Sequence, residues 1–239
     1  MSRIENVAIR FSVVPKLGTL ERVGANCHPP SNNKKTMSTG KIIVITGGPR
    51  SGKSTLVRLL TEKYQGIAYS EQEKFPERIS QSIQAGGNSM ELRVWFRNHY
   101  IGQYIDAMEQ KKAGKYCFLD GFWLTSQPYI EAWMKDEFER EISTTMLNLD
   151  KKILPWPDNI LVLQNTKERI KKFSQDGGRD FEDSEFFLGK QLEVHECHDT
   201  FFEKLSKIYD NISFLNRGEL DFKNNPEDLE RVEKILNLC

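Results

Sequence analysis

Gly47-Gly48-Pro49-Arg50-Ser51-Gly52-Lys53-Ser54-Thr55 follows the spacing G-x-x-x-x-G-K-[ST], and its setting decides the fold. Immediately before it, Lys41-Ile42-Ile43-Val44-Ile45-Thr46 is a short β-branched run, the pattern of a buried parallel strand. Immediately after it, Leu56, Val57, Leu59, Leu60 and Tyr64 recur at helical spacing and predict a helix from Lys53 to about Tyr64 with one buried face. Glycines at such a turn let the backbone bend tightly and aim its N–H groups at an anion, beside the positive end of the new helix. Gly47 to Thr55 therefore read as a phosphate-binding loop (P-loop) for a nucleoside triphosphate, expected to be ATP. Lys53 is expected to reach its β- and γ-phosphates, and the Ser54 hydroxyl to hold Mg²⁺.

The 239 residues suit one α/β domain with a sizeable core. Lys+Arg and Asp+Glu number 34 each, so the balanced charge argues for neither a nucleic-acid surface nor a membrane partner. Apolar runs are strand-sized, so no transmembrane helix is expected. Cys27, Cys117, Cys197 and Cys239 lack C-x-x-C spacing and read as reduced thiols of an intracellular protein. Residues 1–36 carry Pro15, Gly18, Gly24, Pro29, Pro30 and the polar stretch Ser31-Asn32-Asn33-Lys34-Lys35 without periodicity. They read as a disordered extension ahead of a domain spanning 37–239, or as a transit peptide, since Arg3, Arg10, Lys16 and Arg22 outnumber Glu5 and Glu21. The expected compartment is the cytoplasm, with the mitochondrion as the alternative.

From Met37 onward strands alternate with helices, which predicts an α/β fold with a parallel sheet of about five strands and helices on both faces. Further strands are expected at 66–70, 115–120, 159–164 and 211–215. Helices are expected around 77–84, 91–112, 127–149, 183–209 and 226–238.

In open parallel sheets, ligands sit at the carboxyl ends of strands. Three features meet there: the P-loop, the acids Glu71 and Glu73 after the second strand, and Asp120 ending the third. Asp120 closes an apolar strand as a Walker B carboxylate does, placed for Mg²⁺, although Asp120-Gly121 also suits a turn. Either Glu71 or Glu73 is placed to accept the proton of an attacking hydroxyl. Lys167, Arg169, Lys171, Lys172 and Arg179 form the dense basic segment, and Gly177-Gly178 would let it hinge as a lid that closes cations over the phosphoryl group. His195, Cys197 and His198 lack a third ligand at metal spacing and read as packing or surface residues. Trp95 and Trp123 each read as a base-stacking ring or as core.

The order of these motifs resembles the deoxynucleoside kinase family, kin of thymidylate kinases, over about residues 41–238. Glu71 falls where that family places its catalytic base. Leu154-Pro155-Trp156-Pro157-Asp158 and then Lys167-Glu168-Arg169-Ile170-Lys171-Lys172 resemble its approach to the lid. Gly178-Arg179-Asp180-Phe181-Glu182 is similar to its lid, which implies phosphate contact by Arg179 and sugar contact by Glu182. Glu219-Leu220-Asp221-Phe222 is similar to its adenine loop, which gives Asp221 and Phe222 to the nucleotide. The resemblance implies a P-loop kinase acting on a nucleoside or nucleotide, with a homodimer left open. Two departures concern the acceptor. The family's Arg after the third strand is Gly121 here, and its base-reading Gln is nearest to Phe96-Arg97. Arg97 and Trp95 are thus expected at the substrate, with Arg93 or Arg97 replacing the missing cation. A GTPase switch would need D-x-x-G and N-K-x-D after its strands, and neither is present; a nucleotide-binding regulator without catalysis stays open.

Overall fold

The structure is a computed structural model that describes residues 40–71, 75–85, 89–177, 185–218 and 220–238. The extension 1–36 lies outside them, as do Glu73, Arg179 and Glu182. The predicted strands form as β1 (Lys41–Gly47), β2 (Ile67–Tyr69), β3 (Tyr116–Asp120), β4 (Asn159–Gln164) and β5 (Ile212–Asn216). They lie in the order β2-β3-β1-β4-β5, and every pairing is parallel. The helices are α1 (Lys53–Tyr64), α2 (Glu77–Gln84), α3 (Met90–Lys112), α4 (Ser126–Trp133), α5 (Glu137–Ile153), α6 (Lys167–Gly177), α7 (Glu185–Ser206) and α8 (Pro226–Ile235). Among the described residues no helix is long and apolar enough to cross a membrane.

Strand alternation splits the core into two layers. Ile43, Ile45, Phe118, Leu161 and Leu163 face one side, where Leu56, Val57 and Leu60 of α1 and Val232 and Leu236 close over them. Ile42, Val44, Cys117, Leu119, Ile160 and Val162 face the other, against Tyr104 of α3, Leu147 of α5 and Phe202 of α7. Both faces of β1 are therefore dry, and shortening a fully buried side chain such as Ile45 to alanine would cost about 2–5 kcal/mol. The Pro155-Trp156-Pro157-Asp158 segment ties this scaffold together. Trp156 stacks on Tyr209 with ring centres 4.0 Å apart, and Asp158 accepts hydrogen bonds from the Ile42 amide at 2.7 Å and from Lys111 at 2.6 Å.

The single helix expected over 127–149 is two helices. The chain leaves helical geometry at Met134, and Asp136 caps α5 by accepting from the Glu139 amide at 2.9 Å. A short 3-10 turn, Trp123–Thr125, precedes α4. Trp123 is fully buried and belongs to the core.

Candidate active site

The P-loop leaves β1 between its neighbours β3 and β4. Its glycines are forced by close approach: a Cβ on Gly47 would stand 2.7 Å from the Leu163 carbonyl, and one on Gly48 would strike the His195 ring at 2.3 Å. Gly52 takes the left-handed conformation that starts α1, with φ 89°. Lys53 lies back over the loop and donates to the Gly48 carbonyl at 3.0 Å. The Ser54 hydroxyl donates to the Asp120 carboxylate, which the parallel register of β1 and β3 brings level with Ile45.

A cavity of about 320 Å³ opens on this loop and is lined by Pro49, Arg50, Lys53, Ser54 and Asp120. Glu71, just past β2, lines the same cavity. The loop, Asp120 and Glu71, expected from three separate strand ends, thus share one space. The hydroxyl and carboxylate of Ser54 and Asp120 are hard oxygen donors of the kind Mg²⁺ takes together with phosphates and water, so the residues present fit that ion.

The remaining wall was largely hidden in the sequence. Arg93, Phe96 and Tyr100 come from α3, Tyr129 and Trp133 from α4, and Gln191 from α7. Arg93 is buried, with its guanidinium 5.5 Å from the centre of the Tyr129 ring and 6.0 Å from that of Trp133. Burial lowers its pKa to about 10, so it stays cationic at neutral pH. Burial, and then the Glu71 carboxylate, push the Tyr100 phenol well above its usual range and keep it protonated.

Arg97 and Trp95 are placed elsewhere, a correction to the expected substrate contacts. The Arg97 guanidinium grips Asp150 of α5 with two hydrogen bonds, one from Nε at 2.6 Å, because that buried carboxylate requires a cation. Trp95 stacks on His99 and packs edge-on to Phe75 and Phe96 in a small cluster with Ile79, Ile83 and Leu92. Gly121 explains the lost family arginine. Its φ of 79° suits glycine, and the space a Cβ would enter is bounded by Thr125 and Tyr100 at 3.4 and 3.5 Å.

At the loop after β5, the Asp221 carboxylate accepts from the Lys223 and Asn224 amides at 3.1 and 3.2 Å and so shapes the turn. Phe222 is a core residue whose ring lies 4.0 Å beneath the Arg217 guanidinium. Arg169 of α6 reaches this loop and donates to the Leu220 carbonyl at 3.3 Å. Burial, and then the Arg169 charge, lower the Arg217 pKa to about 10.

The two histidines of α7 serve the strand and loop beneath them. His198 Nε2 is 2.9 Å from the Thr46 hydroxyl, and His195 Nε2 is 2.7 Å from the Pro49 carbonyl. No sequence signal marks either pairing, because one partner is a backbone oxygen and the other a hydroxyl 152 residues away.

Comparison with known proteins gives the same fold. Deoxyadenosine kinase from M. mycoides superposes with a TM-score of 0.66 at 16% identity, covering 83% of this chain and 100% of that one. Thymidylate kinase from Candida albicans superposes with a TM-score of 0.61 at 21% identity, covering 82% and 92%. NadR protein in complex with NR gives 0.55 at 16% identity, over 84% of this chain and 50% of that one. No curated protein matches the sequence. The AAA domain family matches residues 42–207, from β1 through the end of α7. The chain belongs to the AAA domain family, in which it has the P-loop kinase fold of the deoxyadenosine and thymidylate kinases.

Proposed function

We propose that this chain is an ATP-dependent phosphotransferase of the deoxynucleoside kinase type, which moves the γ-phosphate of ATP onto the hydroxyl of a (deoxy)nucleoside. The observation that supports it most is the meeting of Lys53, Ser54, Asp120 and the separate carboxylate Glu71 on one cavity. The acceptor oxygen bonds to the γ-phosphorus as the bond to the β–γ bridging oxygen breaks, and ADP leaves. Glu71 takes the hydroxyl proton, while Lys53 draws off charge gathering on the phosphate oxygens. Arg169 and Arg179 would add cations from the lid side, and Glu182 would hold the sugar. Ser54 and Asp120 would hold Mg²⁺, which would supply positive charge against that of the triphosphate.

One observation favours a nucleoside monophosphate as acceptor instead. Arg93 places a buried guanidinium on the cavity wall beside Tyr129 and Trp133, and a guanidinium is well matched to a phosphate. Transfer of labelled phosphate from ATP to a panel of nucleosides and nucleoside monophosphates tests both readings, with Lys53→Ala as the inactive control. Transfer to nucleosides supports the first and transfer to monophosphates the second. Tight ATP binding with transfer to neither would return the chain to a non-catalytic regulator.

A further inference from the structure

Arg50 stands in the left-handed backbone region, with φ 59°, a strained place for a residue that is not glycine. Such a conformation persists where its surroundings over-determine it. Strain at Arg50 can be relieved by rotating the peptide between Pro49 and Arg50, which changes φ at Arg50 and ψ at Pro49. The proline ring fixes only its own φ and does not resist that rotation.

The peptide is held from outside the loop. His195 is 4% exposed and its Nε2 lies 2.7 Å from the Pro49 carbonyl. A carbonyl only accepts, so Nε2 carries the hydrogen and donates. The ring is packed so closely that a Cβ on Gly48 would come within 2.3 Å of it. On the next peptide, Asn165 Nδ2 donates to the Arg50 carbonyl at 3.4 Å. Because the C=O and N–H of a trans peptide point in opposite directions, a Pro49 carbonyl fixed on the His195 side turns the Arg50 N–H the other way. The Ser51 N–H is already directed at the Gly48 carbonyl at 3.4 Å, so the amide that His195 sets is that of Arg50.

We propose that His195 is a positioning residue of the phosphate loop: by holding the Pro49 carbonyl it keeps the Arg50 N–H turned toward a phosphate oxygen of the donor. Rotation of that peptide would present a carbonyl to the anion in place of a donor. Burial suits the role, since it lowers the His195 pKa to about 4 and leaves the ring neutral, with Nδ1 buried and bare. This inference rests on the triphosphate reading of the loop.

The test compares His195→Gln, whose amide nitrogen reaches the position of Nε2, with His195→Asn, which is one carbon too short. ATP dissociation constants and thermal midpoints are measured for both. His195→Asn should weaken ATP binding by about tenfold or more, and His195→Gln should stay within about threefold of the unaltered protein. Equal affinity in two folded variants would overturn the proposal. A second measurement needs no variant: the Arg50 amide resonance of the unaltered protein should shift downfield and exchange more slowly when ATP is added. An Arg50 amide indifferent to bound ATP would overturn the proposal even if the substitutions unfold the chain. Failure of the unaltered protein to bind ATP at all would instead sink the triphosphate reading, and this inference with it.

Discussion

The Ser54 hydroxyl donates to the Asp120 carboxylate and so joins the first turn of α1 to the carboxyl end of β3. Asparagine at 120 keeps an oxygen to accept that hydrogen bond but loses the charge that attracts a divalent cation. Asp120→Asn should leave the thermal midpoint nearly unchanged and raise the Mg²⁺ concentration for half-maximal transfer by about tenfold or more. A Mg²⁺ titration superimposable on that of the unaltered protein would make Asp120 a turn residue.

Glu71 lines the cavity, whereas Glu73 lies outside the described residues. General-base help is typically worth about 10²–10⁴-fold in rate, so Glu71→Gln should lower single-turnover transfer by that order with ATP affinity nearly kept. Glu73→Gln should cost much less. The two rates, measured beside the two ATP affinities, assign the base: a larger loss at Glu73 exchanges the roles, and no loss at either favours the regulator.

The P-loop, the five strands and most helices were legible because each signal is local: contiguous β-branched runs, helical spacing and a fixed motif. What escaped depended on distant partners. Both α4 and α5 carry apolar periodicity, so the break between them shows only in the capping pair Asp136 and Glu139, and with it went the Tyr129–Trp133 wall. Arg93 and Arg97 stand one turn apart on α3. Which of them meets the cavity is settled by Asp150, 53 residues beyond Arg97. Phe222 reads as a nucleotide contact, but its ring is buried in one core cluster with Leu215 of β5 and Val232 of α8, beneath the Arg217 guanidinium.

That division between two arginines gives opposite phenotypes. Arg97→Ala strands a buried carboxylate at Asp150, a loss of about 3 kcal/mol for a buried pair. Arg97 is partly exposed, so screening should reduce this to about 1–3 kcal/mol, a fall of roughly 2–12 °C in thermal midpoint. Arg93→Met keeps an apolar stem against Tyr129 and Trp133 and removes the charge. If the acceptor is a monophosphate, its KM should rise by about tenfold or more while that for ATP stays put. An uncharged nucleoside acceptor would leave both KM values close to those of the unaltered protein.

The buried histidines set the response to acid. His195 has its pKa lowered to about 4, chiefly by burial, and burial lowers that of His198 as well. An unfolded histidine titrates at about 6.5, so below that pH the unfolded chain takes up protons that the folded chain refuses. The stabilisation is therefore full above pH ~6.5 and is lost as pH falls from there toward ~4, by about 3 kcal/mol for His195 alone. Exposed carboxylates such as Glu196, whose pKa is lowered by its Lys167 partner, share the direction, so the histidine part must be isolated by substitution. Urea unfolding of the unaltered protein and of His195→Gln, each at pH 7 and pH 5, makes that subtraction. The unaltered protein should lose about 1–2 kcal/mol more than the variant over this interval, because glutamine has no proton to gain. Parallel losses would mean that His195 is protonated in the folded chain at pH 5, a state in which its Nδ1 would need an acceptor that it lacks among the described residues.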